Sequence, residues 1–273
     1  MKLKQPKKII HYIGGEKGGL GKSFFARIMA QYWLDLKRDM ALFDADRTNR
    51  TFYRYYNSER LKVETFFFSE ADEYLENGNI LIETAFNKDV LIDLPGQSVH
   101  ALNNWLKLNY IFDVAAELDL EMVYWFVSDG SPDSLDDFKI VTDLLKGKMQ
   151  YVFVKNEGKC NKWDLILESI ESIFNSYKIE TISLPAFKGD KLKATIDDRA
   201  LSWSEAREYK EFANSMFDRH RVKAYLNLAY QEINKATVIQ ARSIGDENNN
   251  NGNGQNTYVV KRPNLPRSNV ENG

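Results

Sequence analysis

The segment Gly14-Gly15-Glu16-Lys17-Gly18-Gly19-Leu20-Gly21-Lys22-Ser23 holds the residues with the clearest chemistry. Glycines let the backbone fold so that successive amide N–H groups converge on closely spaced anionic oxygens. Lys22 adds a mobile cation for β- and γ-phosphates, and Ser23 a hydroxyl suited to Mg²⁺. An apolar run, Ile9-Ile10-His11-Tyr12-Ile13, precedes the segment, and a helix-period stretch follows from Lys22. Strand, loop and helix in that order are what a phosphate loop requires, because the helix N-terminus carries partial positive charge. The strict pattern G-x-x-x-x-G-K-[ST] fails, since Glu16 stands where its first glycine belongs. The variant K-G-G-x-G-K-[ST] matches in full from Lys17 to Ser23. Gly18, Gly19, Leu20, Gly21, Lys22 and Ser23 are therefore expected to hold ATP with magnesium. Lys17 has two readings, a solvated lysine or a functional one. Its closeness to Lys22 is unfavourable without an anion between them, which favours function.

Two further apolar runs end in carboxylates: Ala41-Leu42-Phe43-Asp44-Ala45-Asp46-Arg47 and Val90-Leu91-Ile92-Asp93-Leu94-Pro95-Gly96. Ligands of parallel α/β sheets bind beyond the C-terminal strand edges. Asp44, Asp46 and Asp93 are thus expected on the same side as the glycine-rich loop. One carboxylate there can hold magnesium directly or through its waters, and another can orient a water against the γ-phosphate. Alternatively, strand-end aspartates cap the next turn or helix. Their recurrence after apolar strands, in a chain with this loop, favours the ligand reading.

The elements that must position these groups alternate along the chain. Strands are expected at Lys8–Ile13, Met40–Asp44, Val63–Phe68, Val90–Asp93, Met122–Ser128, Tyr151–Lys155 and Ile179–Leu184. The run Met122-Val123-Tyr124-Trp125-Phe126-Val127 is apolar on both faces, as in a strand buried between two helix layers. Helices are expected at Lys22–Leu36, Ala71–Phe86, Val99–Leu118, Ser134–Leu145 and Trp163–Tyr177. This alternation predicts an α/β fold: a doubly wound, mostly parallel sheet with helices on both faces. Asp197–Tyr209 and Phe212–Arg242 read as C-terminal helices. In the latter, Val222, Tyr225, Leu226, Ala229, Ile233 and Ala236 recur at helical spacing, which suits either packing on the domain or a partner- or membrane-binding helix. From Gly245 the chain is rich in asparagine and glycine, and such a composition cannot offset the entropy of ordering. The expected organisation is one domain over residues 1–244 and a disordered tail over 245–273.

The chain has 273 residues, 43% of them hydrophobic and 28% charged, with a formal net charge of −2. This suits a globular domain with a sizeable core, and any nucleic-acid surface must be a local patch. Cys160 is the single cysteine, so no internal disulfide forms, and a reducing, cytoplasmic setting is expected. No apolar signal-peptide core follows the basic N-terminus, and no run is long enough to span a bilayer. No membrane association is expected.

The three motifs together, Lys17 to Ser23, Asp44-Ala45-Asp46 and Ile92-Asp93-Leu94-Pro95-Gly96, resemble those of the MinD/ParA group of deviant Walker A P-loop ATPases, within the CobQ/CobB/MinD/ParA superfamily. The resemblance covers roughly residues 8 to 240. It implies an ATP-dependent homodimer in which Lys17 reaches across to the partner's phosphates. It implies that Lys22 and Ser23 keep their phosphate and magnesium roles, that Asp46 positions the attacking water, and that Asp93 steadies magnesium through water. Asn156, at the end of Tyr151-Val152-Phe153-Val154-Lys155, matches an adenine-contacting asparagine. Pro185, in Leu184-Pro185-Ala186-Phe187, matches a proline that lies against the base. The family's Ile-Pro followed by a polar residue is here Leu-Pro-Ala-Phe. Gln97 is either a polar group near the γ-phosphate or an exposed loop glutamine. The asparagine-rich tail differs from the amphipathic membrane helix that ends the MinD branch.

The resemblance implies a magnesium-dependent ATPase, slow and partner-stimulated, whose dimer forms with ATP and opens on hydrolysis. Its cargo would be plasmid DNA, a conjugation complex or another large assembly, met through a cargo or stimulating protein. Two other readings share the scaffold. An ATP-dependent small-molecule ligase usually lacks the signature lysine. A tyrosine autokinase carries a C-terminal tyrosine cluster, whereas this tail has only Tyr258. Arg219, His220, Arg221 and Lys223, near Arg207 and Lys210 in sequence, suit either non-specific DNA or a solvated helix face diluted by Glu205, Glu208 and Glu211.

Overall fold

The structure is a computed structural model that describes residues 7–58, 61–68 and 76–240. The expected tail, 245–273, lies outside the described residues, as do the first part of the helix expected from Ala71 and the end of the one expected to Arg242.

Seven parallel strands form one sheet in the order β3-β2-β4-β1-β5-β6-β7. They are β1 (Ile9–Gly14), β2 (Met40–Asp44), β3 (Val63–Thr65), β4 (Asp89–Asp93), β5 (Glu121–Ser128), β6 (Gln150–Asn156) and β7 (Glu180–Leu184). β1 is central: His11 pairs with Leu91 of β4 on one side and Val123 of β5 on the other. Among the described residues lie the helices α1 (Lys22–Asp35), α2 (Thr51–Tyr56), α3 (Glu76–Asn87), α4 (Val99–Leu108), α5 (Ile111–Glu117), α6 (Pro132–Leu145), α7 (Trp163–Ser169), α8 (Glu171–Tyr177), α9 (Asp190–Asp198), α10 (Trp203–Ala206) and α11 (Ser215–Ile233).

The doubly wound arrangement follows from strands that are apolar on both faces. On β5, Val123, Trp125 and Val127 join the core shared with residues of α1, α9 and α11. Met122, Tyr124 and Phe126 join the opposite core, with Leu102 and Trp105 of α4 and Phe138 of α6. The period of two thus sends alternate side chains into two separate layers.

Differences from the expected elements have local causes. β3 ends at Thr65 rather than Phe68, because it is an edge strand whose partner β2 ends opposite it, Asp44 pairing with Thr65. The helix expected over Val99–Leu118 is broken between α4 and α5, where Tyr110 takes a left-handed φ of 52°. The segment expected as one helix from Asp197 to Tyr209 is split by Ala200, φ 47°. α10 then restarts on a capping box, in which Ser202 accepts from the Glu205 amide and Glu205 accepts from that of Ser202.

Candidate functional site

Parallel register carries the key carboxylates to one edge. Asp93 ends β4 between Ile13 of β1 and Asp44 of β2. The loop from β1 to α1 crosses the same edge. α1 starts directly after Gly21, whose φ of 103° is a left-handed conformation that a side chain resists. A Cβ at Gly21 would also stand 2.6 Å from the Asn156 amide nitrogen.

Lys22 is only 8% exposed, and its Nζ donates to the carbonyl oxygen of Lys17 at 2.9 Å. Burial pulls its pKa down, while the carboxylates of Asp93, Glu16, Asp46 and Asp137 oppose that pull. Lys17 is exposed and turns outward, its Nζ 3.5 Å from Asp133 at the start of α6. The two ammonium groups therefore diverge rather than face one another.

Asp93 is 2% exposed, and its Oδ1 has no hydrogen-bond partner. Burial pushes its carboxyl up to about 7, with the Ser23 hydroxyl and Lys22 pulling down and Asp44 and Asp46 pushing up. Asp44 takes the capping role weighed for it: Oδ1 accepts from the Asp46 N–H at 3.0 Å and Oδ2 from the Tyr53 N–H at 2.9 Å. Asp46 is half-buried, and its Oδ1 accepts from the Thr48 N–H at 3.0 Å and the Asn49 N–H at 2.9 Å. Burial pushes the Asp46 carboxyl up, but these bonds and Lys22 outweigh it and leave the pKa below the ordinary value.

Asn156 bridges β6 and the glycine-rich loop. Its Nδ2 donates to the Leu20 carbonyl at 2.7 Å, and its Oδ1 accepts from the Gly158 N–H at 3.0 Å. Gly19, Gly21, Asn156 and Pro185 line one cavity of about 550 Å³. The cavity also has walls that sequence reasoning did not assign to the site. Arg27, buried, lies with its guanidinium 3.8 Å over the Tyr55 ring, and Phe187 packs on Phe24. No local pattern marks them, since α2, α9 and the loop after β7 meet α1 only in the fold. Gln97 is exposed, at a left-handed φ of 54°.

Among the described residues, no three His, Cys, Asp or Glu side chains gather to hold a metal ion. Magnesium does not require such a cage, since it is commonly held by one or two protein oxygens, waters and phosphates. The unmatched Oδ1 of Asp93, beside the Ser23 hydroxyl, is a hard-oxygen pair that fits this mode.

Three of the basic residues noted on or near the C-terminal helix pair with carboxylates. Arg221 pairs with Asp218 at 2.6 Å and Lys223 with Glu208 at 2.9 Å. Arg207 forms a bidentate pair with Asp35, at 2.7 and 2.9 Å. No helix among the described residues is long and apolar enough to cross a membrane.

No family model matches the chain. Protein TraL of Escherichia coli is 33% identical over 132 residues, which are 46% of this chain and 53% of that protein. The match therefore spans about half of that relative's length. Among solved structures, the cell division ATPase MinD of Pyrococcus furiosus is similar at 19% identity and a TM-score of 0.48, over 84% of this chain and 99% of that one. The MinC:MinD cell division protein complex of Aquifex aeolicus is similar at 16% identity and 0.46, over 81% and 96%. A nucleotide-binding protein of Archaeoglobus fulgidus in complex with ADP is similar at 15% and 0.42, over 77% and 91%.

Proposed function

We propose that this chain is a magnesium-dependent ATPase of the MinD/ParA type, working as an ATP-gated homodimer switch in the partition, mobilisation or positioning of plasmid DNA or another large cargo. The observation that carries this reading is the convergence of the glycine-rich loop, Lys22, Ser23 and the unmatched Oδ1 of Asp93 at one sheet edge.

In this reading the amides of Gly18 to Ser23 cradle the phosphates, helped by the N-terminal end of α1. Lys22 exchanges the Lys17 carbonyl for β- and γ-phosphate oxygens. Ser23 and Asp93 would hold the magnesium, Asp93 directly or through a water. When bound, the ion would supply charge neutralisation to the triphosphate. Asp46 orients a water in line with the γ-phosphorus. The new P–O bond forms as the bond to the β–γ bridging oxygen breaks, giving ADP and phosphate. Lys17 leaves the exposed Asp133 carboxylate and reaches the phosphates of a second copy, so that ATP holds two subunits face to face. Pro185 and Phe187 offer apolar surface to the base, and Asn156 fixes the loop next to it.

Calorimetric titration with ATP and ADP, with and without magnesium, tests the binding. Size measurement with ADP, ATP and a slowly hydrolysed analogue, with and without DNA, tests the switch. Magnesium-dependent binding with dimers only in the triphosphate state is expected. Nucleotide binding by a protein that is dimeric in every state would point instead to a small-molecule ligase on this scaffold.

A further inference from the structure

Glu16 occupies the position of the strict motif's first glycine, yet it is no loop bystander. It is 8% exposed and grips the turn after β4 twice. Its carbonyl oxygen accepts from the Gln97 N–H at 2.8 Å, and its carboxylate Oε2 accepts from the Val99 N–H at 3.1 Å. Val99 is the first residue of α4, and Ser98 before it makes no side-chain cap. Glu16 thus supplies from 83 residues away the anion that a helix N-terminus favours. The gripped turn lies between Glu16 and the phosphate-loop lysine. A Cβ at Gly96 would stand 2.9 Å from the Glu16 carbonyl oxygen and 3.7 Å from Lys22 Nζ.

We infer that Glu16 is a positioning residue: it latches the Gly96–Ser98 turn and the start of α4 to the phosphate loop, and phosphoryl charge arriving beside Lys22 releases the latch. This deepens the proposed function and rests on it for the identity of the trigger.

Three features suit a latch that opens. The second carboxylate oxygen, Oε1, is buried and has no partner, so desolvation offsets much of what the Val99 bond contributes. Gln97 is held at φ 54°, a conformation that glutamine leaves when freed. Glu16 and Lys22 attract one another across the burial that both suffer. A γ-phosphate that takes Lys22 removes that attraction and adds repulsion in its place. ADP, lacking that phosphoryl group, leaves the latch closed.

The test is hydrogen exchange followed by mass spectrometry over residues 97–104 of the full chain. The protein is measured nucleotide-free, with magnesium ADP and with a slowly hydrolysed magnesium ATP analogue. In the wild type, the analogue is expected to speed exchange there by about tenfold, and ADP to leave it unchanged. Glu16→Gly should exchange about tenfold faster before any nucleotide is added, and the analogue should add nothing further. Glu16→Gln, which keeps a neutral acceptor for Val99, should restore slow exchange in the nucleotide-free protein but lose the response to the analogue. Equal nucleotide-free exchange in the wild type and Glu16→Gly overturns the latch. Exchange that responds alike to ADP and the analogue overturns the trigger. If the wild type bound no nucleotide, the function proposed above would fail, while the comparison of nucleotide-free proteins would still read the latch. Thermal unfolding of both variants separates a local release from a misfolded chain.

Discussion

Lys22, the first residue of α1, and Lys17, five residues before it, meet through a side-chain-to-backbone bond and not through their charges: Lys22 Nζ donates to the Lys17 carbonyl while the Lys17 ammonium faces Asp133. The loop thus separates a buried cation from an exposed one. Lys22→Ala should weaken ATP binding by about a hundredfold, the ~3 kcal/mol expected of charge-assisted bonds to phosphate. Folding stability should change by only about 1 kcal/mol, because the lost bond and the relieved desolvation oppose each other. Calorimetry with magnesium ATP reads the first effect and thermal unfolding the second. Affinity equal to wild type would remove the phosphate-loop assignment.

Lys17→Ala should behave differently. The Lys17–Asp133 pair is exposed on both sides, so its loss should cost less than about 1 kcal/mol. Nucleotide affinity should stay within about threefold of wild type, since the expected contact is to the partner's phosphates. Dimer formation with the ATP analogue, measured by light scattering, and turnover should both be lost. A variant that still dimerises with the analogue sinks the cross-subunit role.

The sheet and the strand–loop–helix around Lys17 to Ser23 were legible in the sequence because both are written locally. Buried parallel strands such as Met122–Val127 are apolar on both faces, and Lys17 to Ser23 lie in one continuous stretch. The breaks were not legible, because apolar spacing continues through them: Leu106 and Ile111 are both buried although Tyr110 interrupts the helix between them. The roles of the carboxylates were only half legible. Asp44 caps because the Tyr53 amide returns to it, and Glu16 turns inward because α4 begins beside it. Both facts depend on where distant backbone lies, and residue type alone cannot report that.

Asp46 combines a local duty with its proposed role at the water. Its Oδ1 holds the Thr48 and Asn49 amides, so Asp46→Ala loses a turn as well as a charge and should cost about 1–2 kcal/mol. Asp46→Asn keeps an acceptor for those amides. It should fold with a Tm within about 3 °C of wild type and bind ATP, yet turn over at least about tenfold more slowly and accumulate dimer. Single-turnover hydrolysis with the dimer followed in parallel decides the matter. Normal turnover in Asp46→Asn would show that another group orients the water.

The contact between Gly21 and Asn156 is open to a double-mutant cycle. Asn156 Nδ2 donates to the Leu20 carbonyl at 2.7 Å, and a Cβ at Gly21 would stand 2.6 Å from that nitrogen. Gly21→Ala should therefore destabilise by about 2–3 kcal/mol, part from a φ of 103° and part from displacing the amide. Asn156→Ala should cost about 1–2 kcal/mol, because it leaves the Leu20 carbonyl without its donor. In the double variant the obstacle to the new methyl is already gone, and the carbonyl's donor is lost only once. The combined cost should fall short of the sum by about 1 kcal/mol, leaving the backbone strain as the residue. Urea unfolding of the four proteins measures this. Additivity within about 0.3 kcal/mol would mean that the methyl is accommodated without moving Asn156, and that Gly21 is set by its backbone angle alone.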